Sequence, residues 1–308
     1  MVIAIHTFPP LDISSVEGTI NIFIRQIVGF PVPLFLAISG YYLGKKILES
    51  KEQKLLFWKK QILKVYLPAL IWAIPLYILS IKNGDSFFKS TILLLGCGFS
   101  IYYFIALIIQ CYIILPLLQK IRPCIGLLIT SSVSVISIIL ISWFDYNRLP
   151  LIIYAGPIVT WAVFFYMGIL LSKSKREYKI TLLYILIPLC IIACLIESYL
   201  LQTNNHNGWG IKFTTYIYSA TIILLLFSKH IESRFNADGL VNRFINNIGR
   251  ISFPLYLMHC YVITIVFKFI NIQNYLMRWL LVSGCSILLV ILMRRIIPSK
   301  FHKLLGLL

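Results

Sequence analysis

The sequence predicts an all-α protein, a polytopic transmembrane helix bundle of about ten spans in a single domain over residues 1–308, with the first span incomplete. Three observations carry this. Of the 308 residues, 59% are hydrophobic and only 12% charged, and the mean hydropathy is +0.89. That leaves too little polar material to cover a water-soluble core of this size. Apolar runs of about 20 residues, the length that crosses ~30 Å of hydrocarbon, follow one another nearly end to end. Finally, the basic residues behind the net charge of +18 gather in alternate loops.

The elements follow in order. Residues 1–9 open with MVIAIHTFP, a helical stretch under half a membrane in length. At a rise of 1.5 Å per residue it needs about ten more residues upstream to reach the inner surface, so an amino-terminal stretch is expected to precede Met1. Spans are then predicted at 27–44, 62–81, 99–118, 124–144, 150–172, 180–201, 211–228, 250–270 and 277–298, each bounded by Pro, Gly or charge. The segment 87–98 (FFKSTILLLGCG) is apolar but too short to cross, and reads as a re-entrant or interfacial piece.

Charge orients the spans. One set of alternate loops and the carboxyl-terminal tail hold 21 of the 28 basic residues, from Lys45 and Lys46 through Lys173, Lys175 and Arg176 to Arg294, Arg295, Lys300 and Lys303. The opposite set holds only Arg25, Lys82, Lys89, Arg148, Lys212, Lys268 and Arg278. The positive-inside rule places the richer set, and the carboxyl terminus, in the cytoplasm. The same rule accounts for the net charge without nucleic acid as a partner. The lipid bilayer is the partner it implies, with attraction to anionic lipid as a by-product. The seven cysteines form no CxxC pair and fall mostly within apolar runs, so neither disulfides nor a metal site is expected.

Polar groups at membrane depth are functional candidates. His6 lies in VIAIHTFPP, and His259 about 13 Å along its helix from Arg250. A neutral imidazole survives burial and still takes a proton, which suits a general base; an interior histidine that clamps helices is the competing reading. Ser252, Tyr256 and His259 fall at i, i+4 and i+7 and share one face, with Pro254 expected to loosen the backbone beside a cavity. An interhelical hydrogen-bond seam explains that face equally well. Tyr103 and Gln110 share another face, and the neighbouring Tyr102 is read as an interfacial belt residue. Ser39 and Gly40 permit close helix approach. Glu197 is a weak candidate near an outer helix end. Lys59, Lys60 and Lys64 form a basic collar suited to the phosphates of a donor such as acetyl-coenzyme A, or simply positive-inside charge.

At these residues the chain resembles the acyltransferase-3 family of bacterial integral membrane acyltransferases. VIAIHT, FPVPLFLAISGYYL, FWKKQILKVYLPALIW, IYYFIALIIQCYIILPLL and IGRISFPLYLMHCYVI resemble its motifs in the right order along the whole chain. The first helix is also similar to the membrane half of serine racemases found in vancomycin-resistance clusters. Gln61 and Lys64 stand where the family has paired arginines, and Tyr102 where it has tryptophan. The resemblance implies a multi-pass protein of the bacterial plasma membrane that moves an acetyl or similar group from cytoplasmic acyl-CoA to a hydroxyl, often on a cell-envelope sugar. It implies His6 as the catalytic histidine. By their own charge and helix faces, Lys59, Lys60, Lys64, Tyr103, Gln110, Ser252, Tyr256 and His259 are the candidates for donor or acceptor binding. The alternative is a membrane carrier for a small polar substrate such as serine.

Overall fold

The structure is a computed structural model that describes residues 1–8, 15–143, 149–173, 179–203, 210–235, 239–270, 272 and 274–307. Arg148, Lys175 and Arg176, which enter the charge argument, lie outside the described residues. Among those described, regular structure is helical throughout: α1 Val2–His6, α2 Val16–Ile27, α3 Pro31–Gly44, α4 Lys51–Lys82, α5 Phe87–Leu95, α6 Tyr103–Leu118, α7 Pro123–Trp143, α8 Leu151–Tyr154, α9 Ile158–Lys173, α10 Ile180–Thr203, α11 Phe213–Leu226, α12 Lys229–Phe235, α13 Leu240–Arg250, α14 Ser252–Phe269, α15 Tyr275–Ile296 and α16 His302–Leu305. Seven helical stretches are long and apolar enough to cross a membrane, and α9 and α11 are shorter apolar helices. The protein is an all-α membrane protein with several spans.

Three boundaries differ from the sequence reading, each for a local reason. The span expected at 27–44 begins at Pro31, and the chain before it forms a separate helix, α2. Proline lacks an N–H and is at home in a first turn, so Pro31 starts a new helix instead of continuing the old one. The helix expected from 62 begins at Lys51 and runs 32 residues, about 48 Å, because charged residues extend it beyond the apolar run. The span expected at 150–172 is broken: α8 ends at Tyr154 and α9 starts at Ile158, with Gly156 and Pro157 between them.

The chain divides into two compact units, one of Met1–Asn21, Lys59–Ala106 and Asp238–Leu308, the other of Ile22–Trp58 and Leu107–Ala237. In the second unit α3 and α9 pack backbone against backbone. A Cβ at Gly40 would stand 2.1 Å from Phe165 O, and one at Gly168 would stand 2.0 Å from Ala37 O. This is the small-residue contact that membrane helices use when no hydrophobic force drives them together. The Tyr216 hydroxyl donates to Thr160 O at 2.5 Å, and its ring stacks on Trp161 at 5.6 Å.

The first unit is tied by longer side chains. Trp72 Nε1 donates to Leu305 O at 3.1 Å and Arg294 Nε to Leu307 O at 2.6 Å. Gly306 lies in the left-handed region (φ +69°), and a Cβ there would sit 2.8 Å from Leu257. The carboxyl-terminal turn thereby closes over Ile251, Leu255, Met258 and Val290.

Candidate functional site

The short helix α1 is held by α14 and α15. Ile3 packs on Val262, Val266 and Val282, the Tyr275 hydroxyl donates to Ala4 O at 3.3 Å, and Phe8 stacks on the Tyr275 ring at 3.7 Å. Thr7 closes the helix by donating to Ile3 O and Ala4 O. Held this way, His6 brings its ring centroid to 5.3 Å from that of His259. The two histidines singled out from sequence therefore belong to one site, His6 exposed and His259 fully buried.

The environment of His259 determines which nitrogen is available. Nδ1 lies 2.8 Å from Tyr256 O and 3.2 Å from Leu255 O. Carbonyl oxygens only accept, so Nδ1 carries the hydrogen and a neutral ring keeps its lone pair on Nε2. Nε2 is buried and has no hydrogen-bond partner. An unengaged acceptor in an interior site is costly unless a second group meets it there.

Tyrosines frame this pair. The Tyr256 hydroxyl donates to Ile101 O at 2.6 Å, and its ring lies 6.2 Å from His259. Tyr102 is fully buried, donates to Leu257 O at 2.8 Å and meets the Tyr256 ring edge-on at 6.4 Å. The belt reading of Tyr102 is thus corrected: the residue is an interior strut. Tyr102 and the Ile101 carbonyl both follow the turn after α5, where Cys97 (φ 53°) and Ser100 (φ 47°) adopt the left-handed backbone that non-glycine residues seldom take. Tyr261 also donates, to Trp72 O.

Other candidates are placed elsewhere. Ser252 donates to Gly249 O at 2.8 Å, a local bond at the head of its helix, so only Tyr256 and His259 of the predicted face reach the pair. Pro254 sits in the first turn of α14, where no backbone hydrogen bond is lost, so it does not loosen the helix. Gln110 clamps the break before α9, donating from Nε2 to Gly156 O at 2.9 Å and accepting from Ile158 N at 3.0 Å. Both of these bonds run to backbone. Tyr103 is half-buried at the start of α6, and Lys59, Lys60 and Lys64 are exposed along α4, the last two one turn apart. Glu197 accepts from Phe213 N and Thr214 N, capping α11. Among the described residues no three His, Cys, Asp or Glu side chains gather as a metal ion would require.

The profile of a family described as "Acyltransferase domain" matches residues 1–295. An amino-acid racemase of Enterococcus faecalis is 28% identical over 329 aligned positions, which cover 94% of this chain and 43% of that protein. The chain therefore spans less than half the length of this relative. No solved structure matches it.

Proposed function

The chain belongs to the acyltransferase-3 family, and from that premise we propose that it is a membrane O-acyltransferase in which His6 is the general base. It moves an acetyl or similar group from cytoplasmic acyl-CoA to a hydroxyl-bearing acceptor such as a cell-envelope sugar. The observation that carries this reading is the unengaged Nε2 of His259 beside the His6 ring. In the reacting complex a hydrogen bond donated by one His6 nitrogen to that lone pair would fix the tautomer of His6 and put the basic lone pair on its other nitrogen. His259 is then a positioning residue, in the role that a buried carboxylate plays in a hydrolase triad.

The chemistry balances on this chain's groups. His6 takes the acceptor's proton as the hydroxyl oxygen attacks the thioester carbonyl. The tetrahedral intermediate collapses, the C–S bond breaks, and the imidazolium returns the proton to the leaving thiolate. The exposed Lys59, Lys60 and Lys64 suit the donor's phosphates by charge. In proteoliposomes supplied with acetyl-CoA, His6→Ala is expected to abolish acyl transfer without shifting the melting temperature by more than about 2 °C. Full activity in that variant overturns the assignment. The racemase relative favours a second reading, carriage of a small polar substrate such as serine. Uptake of labelled serine into vesicles that contain no coenzyme A would support it instead.

A further inference from the structure

Helix α13 carries an apolar face that is largely exposed. At about 100° per residue its five apolar side chains, from Leu240 to Ile248, fall within an arc of about 140°. Arg243 and Arg250, with three asparagines, fill the opposite side. Only the last turn of the apolar face is docked, where Ile248 packs against the cluster built on Ile251, Met258 and Leu307. At the other end Leu240 is 85% exposed, Val241 69% and Phe244 63%, and no residue of α13 is buried. So complete a separation of apolar from polar side chains, on a helix too short to span, suits a boundary between two solvents.

The charge around this face has one sign. Residues 239–308 contain eight lysines and arginines and no aspartate or glutamate. The cluster that receives Ile248 also receives Met293, Ile297 and Leu305, so the end of α13 lies beside the end of α15 and the carboxyl-terminal turn. Those segments bring Arg294, Arg295, Lys300 and Lys303 to the end of the helix where Arg250 stands. Ile296, Phe301 and Leu304 are exposed among these cations, and Lys300 Nζ lies 5.1 Å over the Phe301 ring. Among the described residues neither arginine of α13 nor any of these four cations forms an ion pair. A basic surface without an internal counter-charge, next to exposed apolar side chains, matches phosphate headgroups above acyl chains.

We propose that α13 lies in the plane of the bilayer surface with Leu240, Val241 and Phe244 among the acyl chains, and that Arg243, Arg250, Lys300 and Lys303 hold the phosphates of anionic lipid. The surface is the cytoplasmic one, since these residues belong to the basic set that the charge pattern assigns to that side. Long basic side chains lay their stems along the apolar boundary and reach the headgroups with their charged ends. Ile251 alone separates α13 from α14, and the Ser252 hydroxyl bonds back to Gly249 O, so the anchored helix sets where α14 enters the membrane. This role does not depend on the acyl-transfer reading.

Depth is measured in liposomes of phosphatidylcholine and phosphatidylglycerol. With the exposed Cys124 removed as Cys124→Ser, Phe244→Cys and Asn246→Cys are spin-labelled separately, and the signal of the Cys124→Ser protein alone is subtracted. The label at 244 is expected to meet dissolved oxygen, which concentrates in lipid, and to be shielded from a water-soluble nickel chelate; the label at 246 is expected to show the reverse. Equal access of the chelate to both labels overturns the in-plane helix. So does a label at 244 shielded from both reagents, as a protein partner or a second copy of the chain would produce. The lipid is tested by melting the protein in nanodiscs. Wild type is expected to melt about 3 °C higher with phosphatidylglycerol than with phosphatidylcholine alone. Arg243→Gln, Arg250→Gln and Lys300→Gln combined are expected to remove at least half of that rise. The same change at Lys46, Lys51 and Lys120, three exposed lysines of the second unit, is expected to leave most of it. No rise in wild type, or a loss in the first triple variant no greater than in the second, overturns the assignment to anionic lipid.

Discussion

Both units tie tyrosine hydroxyls to backbone carbonyls, but they pack their helices differently. In the unit that carries the histidines, tyrosine hydroxyls reach backbone carbonyls: Tyr102 reaches Leu257, Tyr256 reaches Ile101 and Tyr275 reaches Ala4. Rings hold the elements apart, and one imidazole nitrogen is left unengaged between them. In the other unit α3 and α9 are drawn together until backbone touches backbone at Gly40 and Gly168. Close backbone contact at those glycines leaves no space between the two helices. Aromatic struts keep polar groups at fixed distances, which a reacting pair requires.

The contrast is broken most directly at glycines. Gly168→Ala drives a Cβ into Ala37 O and is expected to cost about 3 kcal/mol or more, seen as loss of monodisperse folded protein by size exclusion. Gly284, inside α15 of the first unit, has nothing within 4 Å of its would-be Cβ. Gly284→Ala is expected to stabilise by roughly 0.5 kcal/mol, through helix propensity alone. Equal effects at the two sites would remove the distinction drawn between the units.

The next largest effect tests the unengaged nitrogen. Asparagine in place of His259 presents an amide N–H where Nδ1 was, so the bond to Tyr256 O survives while Nε2 is removed. His259→Asn is expected to lower kcat about 100-fold, leave KM for acetyl-CoA unchanged and move the melting temperature by about 2 °C or less. A structural clamp would show the reverse, a lower melting temperature with normal kcat in the folded fraction.

Much of this architecture is legible in the amino-acid sequence. Hydropathy and alternating charge carry the helical class and the spans, because lipid requires every backbone group to be bonded within its own segment. The spacing of Tyr256 and His259 places them on one face. What the sequence hides depends on partners distant along the chain. Tyr102 looks like any interfacial tyrosine until its hydroxyl is seen to meet Leu257 O, 155 residues away. Gln110 resembles a substrate contact because a lone amide in an apolar helix gives no hint that it clamps Gly156 and Ile158. α2 and α13 escape a search for unbroken apolar runs, because Glu17, Asn21 and Arg25 interrupt the one and Asn242, Arg243, Asn246 and Asn247 the other. Lys212 reads only as a loop charge although its side chain is buried, since composition says nothing about burial.

The clamp that Gln110 makes yields a smaller prediction within the second unit. Gln110→Leu leaves Gly156 O and Ile158 N without their side-chain partner and is expected to cost about 2 kcal/mol by thermal or denaturant unfolding. Activity per folded molecule should stay at the wild-type level. A selective rise in KM would restore Gln110 to the binding site.

The smallest effect belongs to the turn after α4, at the surface of the unit that carries the histidines. There Asp85 accepts from Ser80 Oγ at 2.7 Å and pairs with Lys89 at 3.6 Å. The Ser80 hydroxyl first, and the Lys89 ammonium second, hold the Asp85 carboxyl below its ordinary 3.8. A depressed carboxyl favours the folded state only while it is ionised. Its contribution is therefore complete above the unfolded value near 4 and disappears as pH falls through the lower folded value. Because the pair is exposed, the contribution is small and screened by salt. Asp85→Asn is expected to lower the melting temperature by about 1 °C at pH 7 in low salt, and by less as salt rises. The difference should vanish on acidification below the carboxylate range. A gap between the two proteins that widened on acidification would mean that the Ser80 hydroxyl favours the protonated side chain, which would reverse the sign argued from this geometry.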